Sequence, residues 1–228
     1  LPSAVLAEDG SYPSWSRRLA EHAESPVVQS QAPFWRSMLA GKPAPLPPDA
    51  PVGVRRKADL TARSTNLDAE ATRLLLGPCN KALGTEINDL LLGALTLAMR
   101  EWRGMDAVTV DLEGHGRQDI FPDIVPGAIV GWFTTVHPVV LTAGADAPST
   151  IDGVRRTLAA VPDKGLGFGL LRHVAGMKNL GDYEADVLFN YLGDASGAGE
   201  GPLRLERIGL PGDVGPDYPQ QAKLAVTG

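Results

Sequence analysis

The stretch VTVDLEGHGRQD, residues 108–119, sets Glu113, His115 and Arg117 among two glycines at the point where an alternating apolar pattern stops. A carboxylate beyond the end of a strand has two readings. It is an exposed acid with Arg117 as a loose ion partner, or a general base held over a substrate. Strand side chains alternate faces, so Asp111 and Glu113 share one face while Val108, Val110 and Leu112 pack into the core on the other. Gly114 and Gly116 permit a tight turn in which another chain or a substrate passes close to the backbone. A second unusual stretch is FNYLG, residues 189–193, where Asn190 interrupts an apolar run and the hydroxyl of Tyr191 needs a partner if buried. Core polar pairing is the plain alternative for both.

Other chemistries find little support. Gly165, Gly167 and Gly169 in KGLGFGLLRH miss the spacing of a dinucleotide fingerprint, and GDASGAGEG lacks the Gly-Lys-Ser/Thr ending of a phosphate loop. His22, His115, His137 and His173 show no metal-ligand spacing, so no metal is expected. No G-x-S-x-G elbow is present, and Cys79 follows Pro78 with no histidine nearby. Trp132 and Phe133 read as core aromatics.

Local signals outline the elements that must position these residues. YPSWSRRLAEHAE predicts a helix over 12–24, with Pro13 in its first turn, and a second helix is expected over roughly 28–40. The proline-dense segment 41–53 reads as a stiff connector and a boundary. Alternation from Lys57 suggests a strand through Leu67. Asp68 caps a short helix, and Thr85 caps a longer one that runs through Trp102. That longer helix is apolar nearly all round, with Ile87, Leu90, Leu91, Leu95, Ala98 and Trp102 on one side and Leu92 and Met99 on another, so it should be buried. Strands are expected over 107–113, 131–141, 186–192 and 203–209, with helices over 149–160 and near 168–175. Alternating helices and strands argue for a layered α/β sandwich, and no repeat is visible.

The 228-residue chain, 43% hydrophobic, is long enough for a real core. Its net charge of −6 and scattered basic residues leave counterion-release binding to nucleic acid little to work with. The most apolar run, from Ile87 to Met99, falls short of a bilayer span. A single cysteine excludes an internal disulfide and fits a cytoplasmic location, and the start lacks the pattern of a signal peptide. The first residue is not Met, which points to a chain cut from something longer.

In this order, WSRRLAEHA, FWRSMLAGKPAPLP, TEINDLLLGALTLAMREW, VDLEGHGR, VGWFTTVHPV, KGLGFGLLRH and FNYLGD resemble the epimerization domains of non-ribosomal peptide synthetases. These belong to the superfamily of condensation domains. The resemblance implies a chloramphenicol acetyltransferase-like fold of two similar lobes with a channel between them. On that basis residues 1–56 are the helical tail of the first lobe plus the connector, and 57–228 are the second, C-terminal lobe, lacking its closing strands. The family's His-His motif belongs to the first lobe and has no match here. Smaller departures are His137 where an aromatic is usual before Pro138, Phe168 for a tyrosine, and Gln118 and Asp194 for the usual Glu and Gln.

The implied activity is inversion, L to D, of the α-carbon of an aminoacyl or peptidyl thioester. No cofactor is bound. The substrate arrives on the 4'-phosphopantetheine of a peptidyl carrier protein, and the second partner is the missing N-terminal lobe. Glu113 matches the family's catalytic glutamate, and Asn190 and Tyr191 match positions implicated in the site. Arg117, His115 and Trp132 are expected to support it, with Arg117 anchoring the loop rather than touching Glu113. An arm phosphate favours a basic rim, to which Arg155, Arg156 and Arg172 are candidates. The alternatives are a condensation domain forming amide bonds between two carrier-bound groups, and a degenerate member that recruits partner proteins. The isolated chain is expected to be inactive.

Overall fold

The computed structural model describes residues 11–49, 53–180, 182–193, 215–220 and 222–228. Helix α1, Tyr12–Ala23, begins where Ser11 Oγ accepts the Ser14 N–H. The helix expected over 28–40 is two, α2 (Pro26–Gln29) and α3 (Ala32–Ala40). Pro33 explains the break, because it has no N–H and its ring crowds the carbonyl four residues back. No strand forms over 57–67; the segment makes one tight helical turn at Lys57–Asp59 and then runs on with no partner strand among the described residues. Alternation there marks an exposed chain, since residues 58–68 are all solvent-facing.

Asp68 does cap α4, Ala69–Leu74, by accepting the Ala71 N–H at 2.7 Å. The chain then widens through Leu75–Cys79, where Pro78 supplies no donor, into α5, Asn80–Leu83. The N-cap of α6, Ile87–Arg103, is Glu86 rather than Thr85: Asp89 accepts the Glu86 N–H at 2.8 Å, and the Thr85 hydroxyl instead donates to Asn80 at 3.0 Å. The buried side of α6 also differs from the expectation. Asp89, Leu90, Leu92, Gly93, Thr96 and Met99 are buried, whereas Trp102 is 54% exposed and carries the Arg103 guanidinium over its ring. The reason is α7, Ala147–Ala160, which lies so close to Gly93 that a Cβ there would meet Ile151 at 2.9 Å.

Among the described residues, four strands form one sheet in the order β2-β1-β3-β4: β1 Ala107–Gly114, β2 Thr135–Thr142, β3 Val187–Asn190 and β4 Leu224–Thr227. The strand expected from 131 starts at Thr135, and the one expected to 192 stops at Asn190, leaving Tyr191 just beyond it. The strand expected over 203–209 lies outside the described residues. β1 pairs antiparallel with β2 and parallel with β3. Val108, Val110 and Leu112 join Val139, Leu141, Val187 and Phe189 against Leu92 and Met99 of α6 and Val154 of α7. A second cluster gathers Val28, Trp35, Leu39, Leu166, Phe168 and Leu171 from α2, α3 and α8 (Leu166–Gly169) with the turn after it, beside β2. Tyr183 extends that cluster to the other face of the sheet, where its hydroxyl donates to Asp111 at 2.9 Å. Sheet and packed helices together make the α/β layering read from the sequence.

The connector is tied into the sheet by one carboxylate. Asp186, 1% exposed, accepts the Leu46 N–H at 2.6 Å and pairs with Lys223 at 3.1 Å just before β4. Leu46 itself is buried in the main core.

Candidate active site

Glu113 is the penultimate residue of β1, one step beyond the last paired position, Leu112↔Phe189, of the parallel register with β3. That register brings Asn190 alongside it. Asn190 Nδ2 donates to Glu113 Oε2 at 2.5 Å, and the pair is partly buried. The second carboxylate oxygen, Oε1, accepts no hydrogen bond from any described residue. Glu113 lines a cavity of about 600 Å³, together with Gly114, His115, Gln118 and Tyr191, whose far walls are α6 and α7. That volume is within the range of small-molecule sites. The carboxylate is therefore aimed and half-engaged, with one lone-pair-bearing oxygen left for a ligand.

The remaining expected residues fall on both sides of this wall. Tyr191 lies on the apolar side of β3, packed against the main core beside Leu224 and Val226, while still lining the Glu113 cavity. His115 is exposed, and its Nδ1 accepts the Arg117 N–H at 2.9 Å, which assigns the ring proton to Nε2. The Arg117 guanidinium donates to the carbonyls of Pro126, Ile129 and Gly131 and lies 4.2 Å over the Phe133 ring. It holds the 126–133 loop and leaves Glu113 to Asn190. Phe133 is buried, but Trp132 is not the core aromatic expected from its sequence context. Its side chain is 79% exposed, and only its carbonyl is engaged, by the Tyr12 hydroxyl at 2.7 Å. The core positions nearby are already filled by Trp15, Phe121, Ile124, Ile129 and Phe133.

The turn after Glu113 is closed by the protein itself. Gly116 has φ +67, and a Cβ on it would sit 1.6 Å from the Phe133 carbonyl oxygen. The chain that needs the glycine is thus the 131–135 segment, not a substrate. This turn separates the Glu113 cavity from a second one of about 400 Å³, lined by Tyr12, Trp15, Trp132, Phe133, Thr135 and His173 among others.

Two polar groups near the site, one buried and one half-buried, were not singled out as functional by sequence reasoning. His137, opposite Leu112 in the β1–β2 register, is 6% exposed and meets the Trp35 ring edge at 6.0 Å. Burial without a partner for Nδ1 pushes its pKa down to about 4. Burial raises the pKa of Asp111, opposed by the Tyr183 hydrogen bond and the nearby Arg172 charge. His137 stands out in the sequence where an aromatic is usual, a sign of a polar residue in an apolar strand; the Asp111–Tyr183 contact spans 72 positions and left no local signal. Among the described residues, no cluster of three or more His, Cys, Asp or Glu side chains could hold a metal ion. No single described helix is long and apolar enough to cross a membrane.

The model of one protein family, the condensation domain, matches residues 3–207. The chain belongs to the condensation-domain family. Its relatives include surfactin synthase subunit 2 of Bacillus subtilis (strain 168), 39% identical over 184 residues that make up 80% of this chain and 5% of that protein. Tyrocidine synthase 1 of Brevibacillus parabrevis is 37% identical over 190 residues, 80% of this chain and 18% of that protein. Among solved structures, the epimerization domain from the third module of tyrocidine synthetase B superposes with a TM-score of 0.81 and 29% identity, over 95% of this chain and 50% of that one. The first condensation domain of the calcium-dependent antibiotic synthetase superposes at 0.59 with 18% identity, over 82% and 40% of the two chains, a likeness of fold alone. This condensation-domain chain thus spans about half of the solved epimerization domain and a small part of the curated synthases.

Proposed function

We propose that this chain forms part of an epimerization domain in which Glu113 removes the α-hydrogen of an aminoacyl or peptidyl group carried as a thioester on the phosphopantetheine arm of a carrier protein. The observation that carries the reading is the 2.5 Å bond from Asn190 to one oxygen of Glu113 on the wall of a ligand-sized cavity, with the other oxygen free. A thioester acidifies its α-hydrogen only weakly, so abstraction needs a base fixed in position and a donor or charge for the enolate oxygen. Asn190 fixes the base. Tyr191, at the same cavity, positions the substrate, and His115 and Arg117 keep the turn after Glu113 in shape. Likeness to a solved epimerization domain over nearly the whole chain favours this reaction among those of the family.

Inversion also requires a proton from the opposite face. We assign that donor to the first lobe, which makes the isolated chain inactive and the lobe and the carrier its working partners. The alternative within the family is amide formation between two carrier-bound groups, favoured by the family whose model matches. Isomerisation with a single carrier present separates the two. In the complete domain, Glu113→Gln should lower α-deuterium incorporation from D₂O by at least about 100-fold and leave carrier binding unchanged. Unaltered deuterium incorporation refutes the role.

A further inference from the structure

The segment after α7 adopts a backbone that its residue types disfavour. Asp163 (φ 46, ψ 38) and Lys164 (φ 50, ψ 33) are the two non-glycine residues with positive φ among the described residues, and Gly165 follows at φ +85. Two consecutive left-handed L-residues persist only where their surroundings impose them. Here the surroundings are identifiable. The Gln31 side chain donates to Asp163 at 2.5 Å from 132 positions away, and Gly165 is pressed on the His137 ring, where a Cβ would lie 1.9 Å from Nδ1. Gly167 is packed as closely on the Gln31 amide. The result is that Lys164 is delivered to the wall of the cavity lined by Glu113.

Two cationic side chains of the Lys and Arg type line that cavity, Lys164 and Arg155. Arg155 is paired with Asp152 at 2.7 Å. The Lys164 ammonium has no hydrogen bond, ion pair or ring contact with any described residue. A strained backbone that brings an exposed lysine to the wall of the cavity that also holds Glu113 invites a use for the charge. Resting on the proposed reading of Glu113, we infer that Lys164 is a further catalytic residue: its ammonium donates a hydrogen bond to the thioester carbonyl oxygen and stabilises the enolate. As Glu113 takes the proton, the Cα–H electron pair moves into the Cα–C bond and the carbonyl pair onto oxygen. The negative charge thus passes from the Glu113 carboxylate to the oxygen that Lys164 faces. Lys164 keeps its proton throughout; when the first-lobe donor protonates Cα on the opposite face, the charge leaves the oxygen for that donor, and the proton held by Glu113 is afterwards lost to solvent while the donor regains one.

The test is single-turnover α-deuterium incorporation in the complete domain with a carrier-loaded L-aminoacyl thioester, alongside the dissociation constant for the loaded carrier. Three variants separate charge from backbone. Lys164→Asn accepts the left-handed conformation but has no charge, Lys164→Gln removes the charge alone, and Lys164→Arg keeps it. The inference expects Asn and Gln to slow exchange by about 100-fold, Arg to recover at least about a tenth of the rate, and carrier affinity and melting temperature to stay unchanged. Exchange at the wild-type rate in Lys164→Asn overturns it, as does an Arg variant as slow as Asn. If Glu113→Gln is inert while Lys164→Asn exchanges normally, only the Lys164 role falls. If the wild-type domain shows no exchange, both fall.

Discussion

His137 gives the protein a specific sensitivity to acid. Its ring is 6% exposed, with Nδ1 lacking a partner, and its pKa in the fold is about 4 against an ordinary value of 6.5. A histidine depressed in the native state contributes its full stability above pH 6.5, because neither state is then protonated there. That contribution is lost as pH falls through the window towards 4, where the unfolded chain binds a proton that the native ring refuses. At about 1.4 kcal/mol per unit, acidification from pH 7 to below 4 should remove roughly 3 kcal/mol. Carboxylates also titrate in this range: burial raises Asp111, while the Arg103 pairing lowers Asp49. The informative quantity is therefore the difference from His137→Phe, which keeps an aromatic edge against Trp35. Urea unfolding at steps from pH 7.5 to 4 should show the wild type losing stability relative to the Phe variant, beginning near pH 6.5. Parallel curves for the two proteins across that range would refute the claim that the ring is buried uncharged.

Two further substitutions probe the frame of the site. Gly116→Ala places a Cβ where the Phe133 carbonyl lies, in a left-handed backbone, and should destabilise by about 2–5 kcal/mol; calorimetry should show a melting temperature lower by roughly 10 °C, and a native-like melting curve would contradict the close approach. Asp186→Ala leaves the Leu46 N–H and Lys223 without their shared partner and should cost about 3 kcal/mol. Chemical denaturation measures that cost, and a loss well under 1 kcal/mol would mean that Leu46 packing and the Asp49–Arg103 pair hold the connector without Asp186.

How far the sequence reveals this arrangement depends on the distance over which each feature is decided. The α1 start was legible from Pro13 in its first turn, and the α4 start because Asp68 caps its own helix three residues on. The β1 core face was legible because Val108, Val110 and Leu112 alternate strictly within a few positions. Alternation misled over 57–67, where no described strand pairs with the chain beyond the Lys57 and Ala58 bonds to Tyr218 and Pro216, and apolar periodicity misled on α6, where contact with α7 at Gly93 chose which side is buried. Glu113 and Asn190 stood out individually through their types, yet their hydrogen bond is a consequence of register between strands 77 positions apart. The Lys164 conformation was illegible for the same reason, since Gln31 and His137 impose it from remote segments.

The parallel pairing of β1 with β3 carries a consequence for how the molecule matures. β1 and β2 can zip together soon after both emerge from the ribosome, but a parallel neighbour must wait for a whole crossover, here including α7 and α8, to be synthesised and docked. Until Val187–Asn190 settles into place, the acid exists without its amide, pointing into an unfinished hollow. Nascent chains halted before that segment would hold every residue of the EGHGR turn and still lack the Glu113–Asn190 pair, so that contact is made late, when β3 docks beside β1.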